Sequence, residues 1–115
     1  MREREVARFE RAGDVRVMSL GEEEGRIVVR EDLAGPSVLV AYGDERRSLR
    51  VSFGPASVSG LLGAIGSSGE GESLWAYLAD ESHDIVDLMD LCDAAAVPYS
   101  FTSLGSGGEV AYRPA

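Results

Sequence analysis

His83 and Asp84 are neighbours, and Asp80, Asp84 and Asp87 follow one another at intervals of four and three residues. An imidazole beside a carboxylate could trade a proton or hold a metal, and carboxylates at helical spacing could share a hard cation. Both chemistries ask for more than the chain provides. A protein zinc site takes three or four ligands, and this sequence holds one His and one Cys. A calcium loop needs the glycine and backbone carbonyls of a formed turn, which the stretch after Asp80 lacks. Ser, His and Asp are present without a local arrangement that marks a nucleophile. The glycine-rich stretches 60–71 and 105–108 lack the Gly-Lys-Ser/Thr of a phosphate loop. We therefore expect no catalysis, no metal and no cofactor, and we expect His83 to be an exposed side chain beside a helix N-terminus.

Unaided, these carboxylates can act electrostatically. Asp80, Asp84, Asp87, Asp90 and Asp93 recur every three or four residues and form the candidate partner-binding face. The alternative is a face that is only solvated.

The element that must position them is a helix over 82–96. At 100° per residue, Ile85, Leu88, Met89, Cys92, Ala95 and Ala96 share one side, while Asp84, Asp87, Asp90 and Asp93 share the other. Ser82 is the expected N-cap, and Pro98 ends the helix. Asp87, pointing away from the core, should tolerate alanine. Cys92, on the apolar side, should be a buried small hydrophobe, and as the single cysteine it forms no intrachain disulfide.

Around this helix the chain reads as alternating short elements. Residues 2–12 read either as a short helix, with Val6 and Phe9 at i, i+3, or as a strand turned at Ala12-Gly13-Asp14 into a strand over 15–20; the helix is preferred. Residues 21–25 read as a charged loop. Strands are expected over 26–30, over the apolar run 37–42, and over 47–53, where Leu49, Val51 and Phe53 alternate with Ser48, Arg50 and Ser52. Pro55 starts a helix carrying Val58, Leu61, Leu62 and Ile65, and Gly60, Gly63 and Gly66 predict a close approach of the sheet backbone. Residues 73–96 are one helix, or strand 74–79 followed by helix 83–96; the second is preferred. A hairpin of 98–103 and 109–113 closes the chain. The fold class is α+β, a single domain over 1–115, mainly β in 1–53 and mixed in 54–115. Antiparallel N-terminal strands are followed by a β-α-β-α-β-β unit, with two helices packed on a sheet.

Charge is divided unevenly. Residues 1–50 carry ten Arg against eleven acids, a net of −1, and residues 51–115 carry one Arg against nine acids, a net of −8. Such a half repels phosphates and favours basic partners, so a protein with a basic surface is expected and nucleic acid is not. Lys, Asn and Gln are absent, a pattern of GC-biased coding rather than of function. The start of the chain, Met1-Arg2-Glu3-Arg4-Glu5, has no apolar core of a signal peptide, and no run reaches membrane-spanning length. The expected location is cytoplasmic, as a monomer or homodimer.

From residue 47 onward the chain resembles the TusA-like sulfur-carrier family. The matching pieces are Phe53-Gly54-Pro55, Leu74 to Asp80, Asp84-Ile85 and Glu109 to Arg113. The resemblance implies that fold for about the last 69 residues. Gly54 stands where the family's sulfur-accepting Cys would stand, and Cys92 lies within a helix, so sulfur transfer does not carry over. Two functional expectations result. One is a non-catalytic acidic protein-binding module, in sharper form an inhibitor or immunity-type protein occupying a nucleic-acid-binding surface. The other is a degenerate sulfur-carrier-like regulatory or scaffold domain. A small enzyme using His83 ranks last.

Overall fold

Alternation along the strands builds the architecture. In β4 (Arg46–Phe53), Leu49, Val51 and Phe53 are buried while Arg46 and Arg50 are exposed, as a half-covered strand requires. The computed structural model describes residues 2–108 and 110–115. Met1 and Glu109, the expected first residue of the last strand, lie outside the described residues. The remaining elements are β1 (Arg2–Arg11), β2 (Asp14–Glu23), β3 (Arg26–Ala34), α1 (Pro36–Tyr42), α2 (Pro55–Ser68), α3 (Leu74–Ala79), α4 (Ile85–Ala94), β5 (Ser100–Gly105) and β6 (Val110–Arg113). The strands form one sheet in the order β1-β2-β3-β4-β5-β6, every neighbour antiparallel. Helices α2, α3 and α4, all between β4 and β5, cover one face. Their Leu61, Ile65, Leu74, Tyr77, Leu78, Ile85, Leu88 and Cys92 close a single core over Met18, Val29, Val51 and Phe53. The α+β class, with helices packed on a sheet, is as expected.

Several local expectations are corrected. Residues 2–11 are strand, not helix. A register shift between Glu5 and Ala7 lets Val6 and Phe9 both pack against the core, which mimics the i, i+3 spacing of a helix. The hairpin turns at Ala12 (φ 51) and Gly13 (φ 87), and the expected loop 21–25 shrinks to a second such turn at Glu24 (φ 51) and Gly25 (φ 79).

The apolar run 37–42 is helix α1, not a central strand. Pro36 occupies its first turn, and Gly43 ends it in the left-handed region (φ 70), donating its N–H to the Leu39 carbonyl. Among its residues only Val38 is buried, and Val40 is 87% exposed.

Residues 74–79 are likewise helical. The Ser73 side chain accepts from the Ala76 amide at 3.1 Å, and Leu74, Tyr77 and Leu78 turn inward at i, i+3, i+4. Asp80–Asp84 separate α3 from α4, so the single-helix alternative fails too. From β4 the order is β-α-α-α-β-β. A middle strand, which the resemblance to the sulfur-carrier fold relied on at Leu74 to Asp80, is replaced by α3.

The glycine row of α2 is not a site of close sheet approach. A Cβ at Gly60 would stand 3.3 Å from Val97 Cγ2, and at Gly63 and Gly66 it would meet open space. Leu62, expected inward, is half exposed, and Ala64 takes the inward position.

Candidate functional site

The five aspartates sit on α4 and the loop before it, and the structure gives most of them internal work. Asp80 Oδ1 accepts from the Ser82 amide at 2.9 Å and from its hydroxyl at 2.8 Å, and these bonds hold its carboxyl below the usual range. Asp84, not Ser82, is the N-cap of α4. Its side chain accepts from the Asp87 amide at 2.9 Å, and Asp87 Oδ2 accepts from the Asp84 amide at 2.9 Å, a reciprocal capping box. Asp93 accepts from the Tyr99 hydroxyl at 2.8 Å, which in turn accepts from Arg113. Asp90 is exposed. The stripe therefore separates into a turn (Asp80), a cap (Asp84, Asp87) and an exposed pair, of which Asp93 is bonded to Tyr99 and Asp90 faces solvent. Val86, 48% exposed, joins that pair at i, i+4, i+7 on the outer side of the helix.

The inner side behaves as expected at Ile85, Leu88 and Cys92, which are fully buried. Ala95 and Ala96 instead emerge at the C-terminus, where Ala96 turns left-handed (φ 55) and Val97 donates to the Cys92 carbonyl at 2.9 Å. Burial pushes the Cys92 thiol up to about 11, which keeps it un-ionised at neutral pH.

His83 is not exposed. It is 7% accessible, stacks on Tyr77 with ring centroids 3.9 Å apart, and its Nδ1 lies 2.8 Å from the Tyr77 carbonyl oxygen. Its Nε2 is 3.6 Å from Glu70. The ring packs the α3–α4 corner, with one nitrogen engaged by backbone.

Beneath that corner lies a carboxylate that the sequence reading did not single out. Glu31, 3% exposed on β3, accepts from the Ile85 amide at 2.9 Å at the positive end of α4. Arg16 on β2 approaches Glu31 at 3.7 Å and donates to the His83 carbonyl at 2.8 Å and the Glu81 carbonyl at 2.6 Å. Burial pushes the Glu31 carboxyl up to about 7, against the Ile85 amide and Arg16, with Asp84 and Asp87 adding to the rise. The signal was present in the strand: Ile27, Val29, Glu31 and Leu33 alternate onto one face, and an acid in that row must be buried.

No family model, no curated protein and no solved structure matches this chain.

A cavity of about 390 Å³ opens beside the same corner, lined by Phe9, Leu33 and Val38 and edged by Arg11, Tyr42 and Glu81. Arg11 and Glu81 pair across its mouth at 3.1 Å. Among the described residues no three His, Cys, Asp or Glu side chains converge as metal ligands, and no described helix is long and apolar enough to cross a membrane. The strongest feature is charge separation by layer. The segment 54–99, which forms all three covering helices, holds eight acids and no Arg or Lys. The arginines, apart from Arg113, all belong to residues 2–50, in the strands of the sheet.

Proposed function

We propose that this protein is a non-catalytic binding module whose acidic helix layer docks on the basic surface of a protein partner. The observation that carries this reading is the segregation of eight acids and no lysine or arginine into the layer that packs over the sheet. The contact surface centres on Val86, Asp90 and Asp93. An apolar side chain there supplies burial, and the aspartates supply steering and specificity. A partner whose basic surface normally meets nucleic acid suits this charge, and the module would then act as an inhibitor or immunity-type protein. The chain itself would not bind DNA or RNA, since nonspecific affinity comes from cations neutralising phosphates.

The test is affinity capture from the native host with wild-type protein and with the Asp90→Asn/Asp93→Asn double variant, at low and physiological salt. A basic protein captured by the wild type, reduced by the variant and by salt, supports the reading. Equal capture by both proteins overturns it.

A further inference from the structure

The helices cover one face of the sheet and leave the other open. On that face Val15 and Val17 lie outside the core cluster and are partly exposed, while Val28 and Ser19 are buried between their neighbours. Its charges are graded across the strands. β1 presents Glu3, Glu5 and Glu10 against Arg8, while β4 presents Arg46 and Arg50 with no acid. Part of this charge is neutralised within the face. Arg30 pairs with Glu3 and with Asp32, each at 2.9 Å, and Arg8 with Glu5 at 3.5 Å. Arg50 lies directly opposite Arg30 in the ladder, a like-charge cross-strand pair that destabilises the isolated sheet. Its side chain has no ion-pair partner among the described residues.

We infer that the open face is a two-fold interface with a second copy of this chain. The strand register supplies the argument. Glu10, Val15, Ala34 and Arg46 lie in one row across β1 to β4, and Glu5, Ser19, Arg30 and Arg50 lie in another. A two-fold axis parallel to the strands, between β2 and β3, reverses the strand order and keeps each row facing itself. Glu10 then meets the second copy's Arg46, Glu5 meets its Arg50, and Val15 meets its Ala34. Every such contact occurs twice. An axis between β3 and β4 would instead set Arg30 against Arg50, and an axis perpendicular to the strands would set β1 acids against β1 acids. Of these three arrangements, charge favours the first.

Four strands spaced about 4.8 Å and four rows spaced about 6.8 Å offer roughly 500 Å² per copy, or about 1,000 Å² in all. That is the lower end of specific interfaces and corresponds to a reversible dimer. A depression of about 530 Å³ bordered by Arg8, Val17, Arg46 and Leu104 leaves room there for facing side chains. The acidic helices stay on the two outer surfaces, where a Debye length of about 8 Å screens much of their repulsion. The inference is independent of the docking role proposed for the helix layer.

The experiment is sedimentation equilibrium across the micromolar range at physiological salt. Wild type should show a monomer–dimer equilibrium. Arg46→Glu alone and Glu10→Arg alone should each weaken it roughly tenfold or more, because each reversal breaks two contacts. The double variant Glu10→Arg/Arg46→Glu should regain the dimer, since the axis sets the exchanged charges against each other again. Glu5→Arg/Arg50→Glu provides the same cycle in the second row, with far-UV circular dichroism confirming folded protein in each case. A wild type that is monomeric throughout overturns the inference. So does a dimer that ignores the single reversals, or folded double variants that stay dissociated in both rows.

Discussion

Glu31 Oε2 lies 2.9 Å from the Ile85 amide, joining the middle of the sheet to the first turn of α4 across 54 residues of sequence. The bond satisfies one of the helix's orphan N–H groups with a carboxyl that burial has pushed up to about 7. Because the folded state holds the proton more tightly than the unfolded chain, with its ordinary value of 4.5, stability falls as pH rises between those values. The loss across that window is about 3 kcal/mol.

Glu31→Gln should remove that pH slope, since the amide oxygen can still accept from Ile85 and carries no charge. Denaturant unfolding at a series of pH values measures it. The variant should be more stable than wild type above pH 7 and similar near pH 4.5. An unchanged slope would show that Glu31 does not set it.

Asp87 and Asp90 look alike in sequence and should differ in the folded protein. Asp87 accepts from the Asp84 amide and completes the capping box, so Asp87→Ala should cost about 1 kcal/mol. This replaces the expectation that Asp87 is neutral. Asp90→Ala on the exposed side should stay within about 0.5 kcal/mol. Urea midpoints of the two variants at pH 7 decide the matter, and equal midpoints would contradict the cap.

Leu88→Ala should destabilise by roughly 2–5 kcal/mol, because the side chain is fully buried between helix and sheet. The same core protects Cys92. Thiol labelling of the native protein should therefore be slow and should accelerate when Leu88→Ala raises the population of open states. Rapid labelling of the wild type would place Cys92 nearer the surface than its packing allows.

Elements whose signals are local were legible in the residues themselves. The alternation of Leu49, Val51 and Phe53, the Pro55 start of α2, the buried side of α4 at Ile85, Leu88 and Cys92, and the closing hairpin all follow from period, turn chemistry and proline. The acidic stripe was also visible as a row of charges. Tertiary structure decided the rest, and for a common reason: short apolar runs carry no period long enough to separate helix from strand. Residues 36–42 and 74–79 are helical because folding gives Val38, and Leu74, Tyr77 and Leu78, one side to bury, with Gly43 and Ser73 satisfying an end of each. Residues 2–11 became strand because β2 offered a ladder and the irregularity between Glu5 and Ala7 absorbed the mismatched spacing of Val6 and Phe9. The roles of the acids were decided the same way. Whether an aspartate caps, turns or faces solvent depends on which donor stands within 3 Å, and only folding brings the Ile85 amide to Glu31 or the Tyr99 hydroxyl to Asp93.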